Sequence, residues 1–313
     1  MLSRTASNLY WSGRYLERAD FLARLLDATI RLASLPSTYG GDPSAWTGAL
    51  ASAGVLDAYN ACNPAVTEKD VIAFLTVDPR NGSSIRGCLE QARGNARAVR
   101  TALTLQAWEA LNSGWQDIQR YPTRGLSRSR AADLVEAAQR AVVAFEGSAY
   151  RTMLRGDGYW FLQLGAAVER ADNTARILDV KYHLLLPRDE LVGGSLDYFQ
   201  WGTILRTVSA HTAYRWVYKG DVKPWLVADL LIFNSKMPRS LTACYDQILT
   251  LLDSLAADSG RRGPAHRIAS AVQRQLAETN IDEVFASGLH EFVDRFLADN
   301  NRLGAAVAEQ FLF

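Results

Sequence analysis

Apolar residues recur three and four positions apart through most of the chain, the period of a helix with one buried face. The pattern predicts helices over 7–34, 67–77, 83–112, 128–154, 158–186, 197–218, 222–233, 238–257, 264–278 and 282–311. Turn-rich stretches at 34–46, 78–83, 113–125, 187–194 and 257–265 punctuate them. No stretch alternates apolar and β-branched residues with polar ones for long enough to demand a sheet. Ser83 and Ser84 mark a helix start, and Pro238 sits at the matching place of a later helix, where a first-turn proline is tolerated. The expected fold class is all-α.

The helical pattern is written twice. "YLERADFLARLLD" begins at Tyr15 and "AVERADNTARILD" at Ala167, and an offset of 152 runs without a gap from Met1 to Asp27 with 11 of 27 pairs identical. A second echo, at an offset of 156, matches Ser84 to Ser240, Cys88 to Cys244 and Gln91 to Gln247. Two echoes in the same order predict an internal duplication with halves related by a pseudo-two-fold axis. The expected units are 1–152 and 153–313, packed as one all-helical domain. A period this long with only two copies is a fused pair, unlike a solenoid.

Within each echo the charges fall on one stripe. Gly13, Glu17, Asp20, Arg24 and Asp27 share an arc of roughly 80° at helical spacing, and Gly165, Glu169, Asp172, Arg176 and Asp179 repeat it, with His183 one turn further. Small residues, Ala19/Ala23 and Ala171/Ala175, form a neighbouring stripe suited to close helix packing. On the first helix a solvated charged face and a buried one both fit, since Trp11, Tyr15, Leu22 and Leu26 lie opposite. The second helix is apolar nearly all round, from Trp160, Leu162, Leu164 and Val168 to Ile177, Leu178, Val180, Leu184 and Leu185. Its charged stripe is therefore expected to face a partner or a wet cleft, with Glu169 and Asp172 meeting arginines. Glu17, Arg18, Asp20, Arg24, Glu169, Arg170, Asp172 and Arg176 form the expected central polar network.

A helix able to supply arginines is at hand. Arg86, Arg93, Arg97 and Arg100 lie within about 60° of one another, while Leu249 and Asp253 stand where the second copy would carry Arg93 and Arg97. Two readings fit: a counter-charge for the ERAD carboxylates, or an anion site for a carboxylate or phosphate using the guanidinium fork.

Composition narrows the chemistry. The 313 residues carry a net charge of +1, which provides no field for nucleic acid or an anionic membrane. Cys62, Cys88 and Cys244 are odd in number and widely spaced, the usage of a reducing compartment. Arg4, Arg14, Glu17, Arg18 and Asp20 interrupt any apolar leader, and no run approaches the ~20 apolar residues that span a bilayer. A cytoplasmic location is expected. Phosphate-loop, dinucleotide, nucleophile-elbow and zincin motifs are missing, so no cofactor is expected. The residue three after each ERAD glutamate is aspartate, where a bundle di-metal site uses histidine, so no metal site is assigned. His211, among Ser209, Tyr214 and Arg215, is a weak acid–base candidate. Trp108, Trp115, Trp201, Trp216 and Trp225 fit either core packing or interface anchors.

The paired ERAD helices, with "DPRNGSSIRGCLEQARGNARAVR", "QAWEALN", "QWGTILRTVSAHTAYRWVY" and "FNSKMPRSLTACYDQI", resemble the bacterial Alpha-E family over nearly the whole chain. Gly94 stands where that family's pattern has glutamate. The resemblance implies a partner more than a reaction. Its members are encoded beside, or fused to, a circularly permuted ATP-grasp protein, often with a transglutaminase-like protein. It thus implies a non-catalytic or co-catalytic subunit of a system that makes or modifies peptide or amide bonds, acting on a peptide or small amino-acid-like substrate. Two alternatives stay open: an enzyme using the ERAD carboxylates for acid–base or metal-assisted transfer on a small peptide, and a purely structural scaffold. A dry, fully paired network with apolar surface elsewhere would favour the scaffold.

Overall fold

The structure, a computed structural model, describes residues 1–34, 44–123, 125–183, 195–260 and 262–313, the side chains of 44, 180–183, 195–199, 258 and 259 excepted. The turn stretches at 34–46 and 187–194 therefore lie wholly or partly outside the described residues. So do Leu184, Leu185 and the side chains of Val180 and His183.

Among the described residues there are fifteen α-helices and no strand. They are α1 (Ser3–Leu32), α2 (Ser44–Ser52), α3 (Leu56–Cys62), α4 (Glu68–Thr76), α5 (Ile85–Ala98), α6 (Leu105–Gln119), α7 (Arg128–Thr152) and α8 (Asp157–His183). After these come α9 (Ser195–Thr207), α10 (His211–Tyr218), α11 (Pro224–Ile232), α12 (Leu241–Ser259), α13 (Pro264–Glu278), α14 (Ile281–Ser287) and α15 (Leu289–Phe311).

Three predicted helices are each two. The one read over 83–112 breaks after Ala98, where a 3₁₀ turn at 100–102 and extended Leu103 lead to Thr104, which caps α6 through the Ala107 N–H. α6 then continues to Gln119, through part of the turn read at 113–125. The one read over 197–218 breaks at Ser209, which takes a left-handed φ of 55°. The last breaks at Gly288, φ 97°, where a Cβ would meet the Glu291 carboxylate at 1.9 Å. Helices α2 and α3 are absent from the sequence reading. Pro238 lies outside α12; Ser240 caps that helix, as Ser84 caps α5.

α1 and α8 lie side by side at the centre, α5 and α7 packing on α1, α12 and α15 on α8. Both central helices are buried over most of their length, which decides the first helix against a solvated stripe: Glu17 is 1% exposed and Asp20 3%. Ala19, Ala23, Ala171 and Ala175 are fully buried. The closest approach comes earlier, where a Cβ on Gly13 would stand 2.0 Å from the Leu162 carbonyl oxygen and one on Gly165 1.9 Å from that of Tyr10. Leu162 is Tyr10 displaced by 152, so the two contacts are reciprocal. Met1 meets Asp157, the Tyr10–Gly13 stretch meets Leu162–Gly165 and Arg18 meets Glu169, so α1 and α8 run parallel and in the register of the repeat. Beneath them Cys88 and Cys244 are both buried, with thiols that burial pushes up to about 12. They are packing residues; Cys62 is the exposed one.

Replacing Gly13 or Gly165 with alanine should force the central helices apart. Destabilisation by roughly 1–3 kcal/mol is expected despite the better helix propensity of alanine. Urea unfolding of each variant measures it; unchanged midpoints would remove the backbone contact from its central place.

Candidate functional site

The central polar network forms along the seam between α1 and α8. Arg18 crosses from α1 to Glu169, its Nε 2.5 Å from Oε1 and its Nη2 3.2 Å from Oε2. Arg170 crosses the other way to Glu17, with Nε and Nη2 at 3.0 and 2.6 Å from Oε2. Adjacent helical residues point 100° apart, so each glutamate faces inward while the arginine beside it reaches across.

Each glutamate also takes a second arginine from outside the ERAD motifs. Arg14 donates to Glu169 at 2.7 Å, and Arg239 donates to Glu17 at 2.6 Å and to Asp20 at 2.7 Å. These two break the repeat: Ala166 stands opposite Arg14 and Ser83 opposite Arg239. Ser83 instead accepts from Arg18. Asp20 and Asp172 each accept from the arginine four residues on, Arg24 and Arg176, at 2.6 Å. The expected pairing of Glu169 and Asp172 with arginine is therefore present, but the donors come from the ERAD helices and the α12 cap. The expectation of α5 as the supplier is corrected.

Burial alone would push the Glu17 carboxyl up; Arg170 and Arg239 outweigh it and hold it at about 2. Burial likewise opposes Arg14 and Arg18 at Glu169, and the arginines prevail. One neighbour moves the other way. Burial, and then the charge of Glu17, raise the Glu146 carboxyl, which sits 3.7 Å from Arg170 at the network's rim. Sequence reasoning missed Glu146, Arg14 and Arg239; the signal at Arg239 was its position one residue before the α12 cap, aligned with Ser83.

The α5 stripe lies apart from this network and its members do different things. Arg86 donates to the carbonyls of Ile118 and Tyr121 and so closes the C-terminal end of α6. Arg93 donates to Asn112 Oδ1 at 2.8 Å and stacks 3.9 Å from the Trp115 ring centre. Arg97 and Arg100 are exposed, Arg100 over Trp108 at 5.4 Å. Gly94 is exposed with open space around it. The tryptophans divide: Trp201 is core, Trp108 and Trp115 are half-buried beneath the arginines, and Trp216 (76%) and Trp225 (47%) are exposed. His211 begins α10 and is not part of the network.

In the ERAD cleft each of the four carboxylates accepts from arginine, while Oδ1 of Asp20 and Oδ1 of Asp172 are buried without a partner; the His183 side chain is outside the described residues. A separate group, Asp179, His290 and Asp294, offers atoms within 4.8 Å of one another. No spacing in the sequence marks it, because Asp179 and His290 lie 111 residues apart. His290 Nδ1 is 2.6 Å from Asp179 Oδ1, a hydrogen bond that raises the imidazole above its ordinary value.

The Alpha-E family, described as "a predicted alpha-helical domain with a conserved ER motif", matches residues 1–312. Glu17-Arg18 and Glu169-Arg170 are the Glu-Arg pairs of this chain. An uncharacterized protein of Mycobacterium bovis and two of Mycobacterium tuberculosis are each 24% identical over 322 residues. The match covers 94% of this chain and spans 35% of each relative's length. No solved structure matches. Among the described residues no helix is long and apolar enough to cross a membrane.

Two outcomes are expected of the network. Glu169→Ala would strand Arg14 and Arg18 and cost roughly 3–5 kcal/mol, read as a fall in denaturant midpoint. For Glu17, a folded value near 2 lies below the unfolded value of about 4.5. Its contribution is therefore complete above about pH 5 and fades as pH falls toward 2, a loss on the order of 3 kcal/mol. Glu17→Gln should flatten the stability curve in that window; a curve as steep as the parent's would place the acid sensitivity elsewhere.

Proposed function

The chain belongs to the Alpha-E family, and from that membership we propose that it is a non-catalytic helical subunit that works beside a larger polypeptide. The observation that carries this reading is the division of its charges. The ERAD glutamates are buried and held ionised by arginines, and the ERAD aspartates accept from arginines too, so these groups hold helices together. Of the arginine stripe, Arg97 and Arg100 lie outside on a surface that also carries Trp108 and exposed Leu105. Arginine and tryptophan over a partly apolar surface are the composition of interface anchors. The relatives, which hold the matching region within longer chains, support a role next to another polypeptide.

The partner we propose is the one the family resemblance suggests, a circularly permuted ATP-grasp protein in a peptide- or amide-bond-forming system, with a transglutaminase-like protein as a further component. The patch is basic, so the matching face would be acidic. The scaffold alternative shares the paired network and differs only in needing no partner. The enzyme alternative loses its ERAD acid–base groups; the observation that favours what remains of it is Glu146, whose raised carboxyl could hold a proton.

Arg97→Ala/Arg100→Ala should keep its helical content and thermal midpoint, yet bind the ATP-grasp protein about tenfold or more weakly in co-purification and titration. ATP turnover by the pair should fall with it, while Glu146→Gln leaves turnover intact. Parental binding by the double variant would sink the docking face, and loss of turnover in Glu146→Gln alone would favour the enzyme.

A further inference from the structure

The two ERAD ladders are closed to different degrees. On α1, Arg24 donates through Nε to Asp20 and through Nη1 to Ser209 Oγ, and Asp20 takes Arg239 as well. The ladder on α8 lacks both closures. Asp172 accepts from Arg176 Nε alone, with no second arginine on Oδ2; its Oδ1, like that of Asp20, is buried without a partner. Among the described residues the two Nη groups of Arg176 have no acceptor, and the side chain is 33% exposed. An arginine oriented by one buried carboxylate and left with its terminal fork free is pre-organised to take another carboxylate in two parallel hydrogen bonds.

The free fork lines a cavity. Thr47, Gly48, Ala51, Gly54, Asp57 and Arg176 are among the walls of a space of about 570 Å³ between α8 and the α2–α3 corner, within the 300–1,000 Å³ typical of small-ligand sites. Gly54 makes room for it twice over. Its φ of +66° suits glycine, and a Cβ there would come 3.0 Å from Arg176 Nη1. Asp57, exposed in the first turn of α3, puts a carboxylate on the same cavity. A guanidinium and a carboxylate on one small cavity, whose walls also include Ala51 and Leu56, match a molecule carrying both charges.

We propose that this cavity binds a small zwitterion, an amino acid or dipeptide, with its carboxylate on the Arg176 fork and its ammonium on Asp57. The inference gives substance to the peptide-system reading above but does not depend on the partner, so it is tested on this chain alone.

The test uses ¹⁵N-labelled protein titrated with alanyl-alanine, its C-terminal amide and its N-acetyl form, with inorganic phosphate as a further probe. Alanyl-alanine should shift the amides of Gly48, Ala51 and Gly54 saturably. Amidation should weaken binding about tenfold or more, the factor for a lost charge-assisted contact. Arg176→Gln should show the same loss. Asp57→Asn, which leaves the ERAD network untouched, should bind alanyl-alanine and its N-acetyl form equally. Circular dichroism and the thermal midpoint establish that Arg176→Gln is folded; if it is not, Asp57→Asn and the amide decide. The proposal is overturned if alanyl-alanine gives no saturable shift, if the amide binds as well as the acid, if the shifts map away from α2 and Gly54, or if phosphate binds better than any of the peptides. None of these results would bear on binding at Arg97.

Discussion

Everything at the centre of this fold depends on the crossed ion pairs Arg18–Glu169 and Arg170–Glu17. Two buried carboxylates would be prohibitive alone, because desolvation costs several kcal/mol per ion. Here both oxygens of each glutamate are occupied by guanidinium donors. That is possible only because α1 and α8 are parallel, in register and close enough for an arginine to span the seam. The glycine contacts one turn earlier set that separation, where Gly13 and Gly165 each face the other helix's backbone. A Glu-Arg pair repeated at matching height is thus a way of locking two helices together, and its chemistry is exhausted by doing so.

That lock separates structure from any activity. Carboxylates held ionised by arginines are poor proton donors or acceptors near neutrality, and arginines bound to them are poor anion sites. Binding capacity then lies where the network is incomplete or where cations never joined it. Arg176 is the first kind, since its ladder lacks the arginine that Arg239 supplies to Asp20 and the hydroxyl that Ser209 supplies to Arg24. Arg97 and Arg100 are the second. Asymmetry between the echoes is what leaves both available.

The all-helical class was legible in the sequence because period-3.6 patterning needs no tertiary information, and the ERAD stripe was legible because spacing puts its residues on one face. Burial of Glu169 and Asp172 could be argued from the apolar circumference of α8. The alignment paired Ser84 with Ser240, and both cap their helices, although the helical pattern placed the second start at Pro238. The helix breaks at Thr104, Ser209 and Gly288 were harder: each rests on one or two backbone angles set by packing, and the apolar period runs on through them.

Which arginine meets which carboxylate was decided by tertiary structure alone. The stripe on α5 has the right residues at the right spacing, yet it faces α6 and solvent, while Arg14 and Arg239, unremarkable in sequence, point into the seam. A helical period gives the direction of a side chain relative to its own axis; it carries no information on which neighbouring helix lies in that direction, or at what distance. Charge pairing falls off within a few ångströms, so that missing distance is the whole difference between a counter-charge and a free surface cation. The sequence by itself determined the helices, their charged faces and the matching heights of the two Glu-Arg pairs; the packing of α1 against α8 and α5, and of α8 against α12, determined which of those charges are spent.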